Sequence, residues 1–198
     1  AAQNGHLEVM RVLAERGANV ETPKNTGATP AYIAAEKGHA GVVRLLAELG
    51  ADVQTPDIDR ATPAFVAAQD GRVEVVRVLA ELGANVNTPM NGGFTPAYVA
   101  AWEGHVEVVR LLAEPGASGE TPMITGATPA YIAAQQGHVE MVRVLAELGA
   151  NVNAPMNDGA TPAFIAAQKG HAEGAELLTE LGAADKTPRN TGATPAYI

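Results

Sequence analysis

The residues whose types could do chemistry are five histidines and a series of carboxylates. His6, His39, His105, His138 and His171 could hold a divalent metal, and Glu74, Glu107 and Glu140 could move protons. Their spacing argues against both. The histidines recur at one phase of a 33-residue period, and Arg72 stands where the series skips a place. In a stack of helices, neighbours at that phase are roughly 10 Å apart, about a helix diameter. That is too far to share a metal's ligand shell. The histidines read instead as the polar start of a helix, and the glutamates two residues on as its solvated face. The chain has no cysteine, which excludes disulfides and thiolate sites. It also lacks a Gly-x-Ser-x-Gly elbow and a Gly-rich phosphate loop. Asn4-Gly5 and Asn91-Gly92 read as turn or helix-end signals rather than sites. No catalytic residue, cofactor or metal is expected.

The elements behind that spacing are announced by a second recurring signal. Thr128-Pro129-Ala130-Tyr131-Ile132-Ala133-Ala134 returns with small edits at Thr29, Thr62, Thr95, Thr161 and Thr194. The threonine is a good N-cap, worth about 1 kcal/mol against alanine. Proline follows at the first helical position, where its missing donor costs nothing. A short helix over 130–136 is predicted, ended by Gly137. A second helix is predicted over 138–148, with Met141, Val144, Leu145 and Leu148 as one apolar stripe. Glu140, Arg143 and Glu147 are spaced for weak surface ion pairs. The stretch 150–159, rich in Asn, Gly and Pro, is predicted to be a turn-forming finger. The Thr62 unit has Arg60 before it where the others have glycine, and Gly41 weakens the second helix of the Thr29 unit.

Regular units of this size build a solenoid in which each leans on its neighbours. The expected organisation is all-α: a single array over 1–198. It comprises a partial repeat 1–28, repeats 29–61, 62–94, 95–127, 128–160 and 161–193, and a partial repeat 194–198. Since 198 is six times 33 and neither end is a polar cap, we expect a window of a longer array. Formal net charge is −9, which argues against a nucleic-acid backbone or an anionic membrane as partner. No run is long and apolar enough to span a bilayer, so no membrane insertion is expected.

Two short helices, a Gly-rich turn and a 33-residue period resemble the ankyrin repeat. The family's Thr-Pro-Leu-His-x-Ala signature appears as Thr-Pro-Ala-Tyr/Phe-Ile/Val-Ala-Ala. Gly104-His105-Val106-Glu107-Val108-Val109 and Leu82-Gly83-Ala84-Asn85-Val86-Asn87 match further. The family's histidine is replaced by Tyr32, Phe65, Tyr98, Tyr131, Phe164 and Tyr197, so packing is expected to replace its polar tie. Thr-Pro pairs at Thr22, Thr55, Thr88, Thr121 and Thr187, with Ala154-Pro155, stiffen the fingers.

The resemblance implies a non-catalytic scaffold whose protein partner meets the finger tips and the exposed side of the first helix. Those positions are Ile58, Asp59, Gln69, Asp70, Met90, Asn91, Phe94, Trp102, Glu103, Met123, Ile124, Gln135 and Gln136. Trp102 is the only tryptophan, at a place where other units carry Gln or Glu, and Phe94 replaces alanine. The pair reads either as a hot spot or as local packing that offsets Pro115 and Gly119. Met90, Met123 and Met156, with Ile58 and Ile124, are expected to be exposed as an apolar ladder. The partner is a protein of unknown identity or another copy of the chain. Two other readings stay open: a self-assembling fibre or tube, and a targeting array attached to an enzyme elsewhere in a longer chain. The resemblance implies a soluble cytoplasmic protein, and the fibre reading an extracellular one.

Overall fold

Each first helix starts where a threonine can cap it and a proline cannot disturb it. The computed structural model describes residues 1–113 and 123–182. Pro115, Gly119, Thr121, Thr187, Thr194 and Tyr197 therefore lie outside the described residues. The side-chain oxygens of Thr29, Thr62, Thr128 and Thr161 each accept from the N–H three residues on, at 3.2 Å. All four threonines are buried, so leaving those N–H groups unpaired would carry the full penalty of a lost bond.

The described residues form eleven α-helices and no strand. The chain divides into two compact units, Ala1–Pro96 and Ala97–Ile198. In the first unit, a short 3-10 turn (Ala2–Asn4) precedes α1 (Leu7–Glu15). It continues with α2 (Pro30–Glu36), α3 (Ala40–Glu48), α4 (Pro63–Gln69) and α5 (Val73–Glu81). First helices pack on first helices, α2 on α4, and second helices on second helices, α1 on α3 and α3 on α5. The second unit holds most of α6 (Pro96–Glu103), then α7 (Val106–Leu112), α8 (Pro129–Gln136), α9 (Val139–Glu147), α10 (Pro162–Gln168) and α11 (Ala172–Glu180). There α8 packs on α10, α7 on α9 and α9 on α11.

The core consists of alanines on the first helices and a broader stripe than expected on the second. Ala34, Ala35, Ala133 and Ala134 are fully buried, so these backbones approach closely. In α9, Met141, Val142, Val144 and Leu145 are all buried. Leu148 is 41% exposed, which corrects the predicted stripe: it follows the last helical turn and faces away from the seam. Arg143 pairs with Glu140 at 3.6 Å, but Glu147 pairs with Arg110 of the preceding repeat at 3.1 Å. Arg44 and Glu81 make the same inter-repeat pair at 2.6 Å. Gly41 does not break α3; it sits against Leu7, whose Cδ1 would lie 3.3 Å from an added Cβ.

Arg60 is the one non-glycine residue with positive φ, 64°, among the described residues. The corresponding places hold Gly27, Gly93, Gly126 and Gly159, all left-handed. Its Cβ makes that conformation cost about 1 kcal/mol. Arg60→Gly is therefore expected to raise stability by about 0.5–1 kcal/mol, read as a higher denaturation midpoint in urea. An unchanged or lower midpoint would show that the arginine side chain stabilises more than its backbone costs.

Candidate protein-binding face

The fingers are held to one another through their main chains. Each tip is a tight turn closed by two bonds, as in Met90 N–H to the Phe94 carbonyl at 3.0 Å and Gly93 N–H to Met90 at 3.1 Å. The next residue's N–H donates to the preceding finger: Ile58 to the Thr26 carbonyl at 3.1 Å, Asn91 to Asp59 at 2.9 Å, and Asn157 to Thr125 at 3.0 Å. Asn157 adds a side-chain bond, its Nδ2 donating to the Ile124 carbonyl at 2.9 Å. At the finger bases, the Glu21 and Gln54 side chains accept from the N–H of Asp52 and Asn85, each at 2.7 Å. These ties satisfy backbone groups that an isolated finger would leave to water.

The histidines act between repeats. Nε2–H of His39 donates to the Gln3 carbonyl at 3.0 Å, that of His138 to Trp102 at 2.8 Å, and that of His171 to Gln135 at 3.1 Å. A carbonyl can only accept, so the proton is on Nε2 and that nitrogen is committed to the bond. Arg72 replaces the imidazole in kind, its Nε–H donating to the Glu36 carbonyl at 3.2 Å. The ring needs a bare backbone beneath it. A Cβ on Gly137 (φ 76°) would lie 2.7 Å from His171 Nδ1. This inter-repeat role is not visible from helix phase alone; its signal was the 33-residue register of the Gly-His pairs.

In the first unit, Glu36, Asp57 and Asp70 all act on the Tyr32 hydroxyl. Finger and first-helix end thus share one face. The hydroxyl is held well above the ordinary tyrosine range by burial first, then by the Asp57 carboxylate to which it donates. Tyr32 therefore keeps a polar tie, correcting the expectation that packing alone replaces the family's histidine. Phe65 and Phe164 do conform, at 4% and 1% exposure. On this face Ile58 is 67% exposed, Asp59, Gln69 and Asn91 are exposed, and Asp70, Met90 and Phe94 are half-buried. The Phe94 ring lies over Gly92, its Cε2 2.8 Å from where a Cβ would stand.

In the second unit, Trp102 is 42% exposed and meets Tyr98 edge to face, with centroids 6.2 Å apart. Glu103 and Gln136 are exposed, Met123 and Gln135 half-buried, and Ile124 is 78% exposed. Met90, Met123 and Met156 are half-buried rather than open, so the apolar positions fully offered to solvent are Ile58 and Ile124. Burial pushes the Tyr98 hydroxyl up to about 12, with Tyr131 adding to the shift.

The tyrosines give an alkaline limit. The fold favours protonated Tyr98 over an ordinary tyrosine of 10.0, so its contribution is intact below about pH 10 and is lost as pH rises through about 12. Tyr32 acts in the same direction. Urea midpoints are expected to fall between about pH 10 and pH 12, and to fall less in Tyr98→Phe. Equal slopes in the two proteins would contradict the shift.

The profile described as "Ankyrin repeats (3 copies)" matches residues 1–57, 50–123 and 118–190. The chain belongs to the ankyrin-repeat family. Solved structures similar to it include the crystal structure of the ankyrin repeat domain of Bcl-3, a member of the IkappaB protein family. That likeness has 27% identity and a TM-score of 0.86, covering 98% of this chain and 90% of the other. No curated protein matches the chain. Ankyrin repeats are in general protein-interaction modules, and none of the described helices is long and apolar enough to cross a membrane.

Proposed function

We propose that the chain is a non-catalytic scaffold whose finger tips and first-helix ends take a protein partner. The observation that carries this reading is Trp102. A large aromatic side chain stays 42% exposed at the helix-end position where the other units carry Gln or Glu, while its own carbonyl is pinned by His138. A partly solvated tryptophan on a fixed main chain is the kind of side chain from which hot spots are built. Ile58, Asp59, Gln69, Asp70, Met90, Asn91 and Phe94 belong to the same face in the first unit. Glu103, Met123, Ile124, Gln135 and Gln136 hold the equivalent repeat positions in the second unit. A photo-crosslinking residue placed at Ile124 should capture protein from a lysate of the source cells, whereas one at Glu140, on the second-helix side, should not. The reverse pattern would sink the assignment of the face.

A further inference from the structure

Four fingers carry an asparagine at the same place, Asn25, Asn91, Asn157 and Asn190, and the three among the described residues are followed by Thr26, Gly92 and Asp158. They form a series in which only Asn91 combines a side-chain amide without a partner and a following glycine. Asn157 has its amide engaged with the Ile124 carbonyl. Asn25 precedes a β-branched residue, which crowds its neighbour and stiffens the chain. Asn91 is exposed, and its side chain holds no partner among the described residues. It is followed by two glycines, Gly92 (φ 89°) and Gly93 (φ 84°), whose conformational freedom lets the main chain swing onto the side chain. The Gly92 N–H is likewise unpaired, since the turn is closed by Gly93. Asn4-Gly5, the other Asn-Gly pair, lacks this freedom. There the Gly5 N–H donates to the Ala2 carbonyl at 3.3 Å, and the His39 ring covers Gly5.

We propose that Asn91-Gly92 is a site of spontaneous modification, at which Asn91 converts to isoaspartate and aspartate through a succinimide. The Gly92 amide nitrogen attacks the Asn91 Cγ. The N–Cγ bond forms, the Cγ–Nδ2 bond breaks, and the departing amide leaves as ammonia with the proton from Gly92. Water then opens the ring at either carbonyl. Opening at the main-chain carbonyl gives isoaspartate, with the former Cβ and Cγ now in the backbone; opening at Cγ gives aspartate. No oxidant or reductant is needed. Each product adds a carboxylate beside Asp59. Isoaspartate also lengthens the main chain next to the N–H that ties Asn91 to the Asp59 carbonyl, and so loosens the joint between two fingers. The Asn-Gly pair is thus a turn signal and also a reactive one.

The intact protein held at mildly alkaline pH and body temperature should show, by peptide mapping, amide-to-acid conversion at Asn91. It should run at least about tenfold faster than at Asn4, Asn25 or Asn157, a barrier difference of about 1.4 kcal/mol. The product should be a substrate for protein isoaspartate methyltransferase, and Asn91→Gln should remove that signal while keeping the amide. Conversion at Asn91 no faster than at Asn25 or Asn157, or methyl acceptance unchanged in Asn91→Gln, would overturn the proposal. Gly92→Ala is the poorer test, because its Cβ would collide with the Phe94 ring.

Discussion

Phe164→Ala is expected to lower stability by about 3–5 kcal/mol, the range for a buried aromatic truncated in a packed core. Phe164 is 1% exposed in the first turn of α10, and its N–H is fixed by the Thr161 cap at 3.2 Å. Helix α10 is packed between α8 and α11, and its other buried positions include Ala163 and Ala166. Alanines cannot extend into a void, so relaxation is limited and the cavity term stays large. A repeat protein has no distant core to compensate, because each unit gains stability only from itself and its neighbours. The loss is a large share of the 5–15 kcal/mol typical of a whole domain. Urea denaturation followed by circular dichroism reads it directly. Phe164→Leu, which keeps most of the volume, should fall well short of it. A change under about 1 kcal/mol in Phe164→Ala would mean that the ring does not hold the joint between α8 and α10.

Trp102→Ala is expected to weaken binding of the protein partner by at least about 30-fold, equivalent to the 2 kcal/mol that defines a hot spot. Its effect on folding should be smaller. The edge-to-face contact with Tyr98 is worth about 0.5–1.5 kcal/mol, and the His138 bond goes to the main-chain carbonyl, which alanine retains. Binding and stability therefore separate. Titration of wild-type and variant protein with the captured partner, alongside their urea midpoints, measures both. If stability falls by more than about 2 kcal/mol while affinity is unchanged, Trp102 is a packing residue and the face must be sought elsewhere. Trp102→Phe should retain part of the affinity, since the ring remains.

Much of the fold was legible because its signals are local and recur in register. Thr-Pro at each first-helix start, glycine at each stop, and the apolar period of the second helix depend only on nearby residues, so one unit predicts the next. The all-α assignment and the ankyrin likeness followed from those. The stripe in α9 was misread at Leu148 because the last turn of a helix can rotate its residue away from the seam, which no single-helix pattern shows. The methionines of the tips are expected to be open, yet they are half-buried, in turns whose main chains close from Met90 to Phe94, Met123 to Ala127 and Met156 to Ala160.

The sequence by itself determined the unit: its length, its caps, its two helices, its missing cysteines and its acidic charge. Only the tertiary structure decided what each polar side chain does at a distance of about one repeat. His138 finds the Trp102 carbonyl 36 residues back, Glu147 finds Arg110 37 residues back, and Tyr32 reaches Asp57 in the following finger. Those pairings depend on the rotation and rise between successive units, which sum many small packing choices rather than any local propensity. The same register sets the histidines to work as joints between repeats, the role that their spacing alone did not disclose.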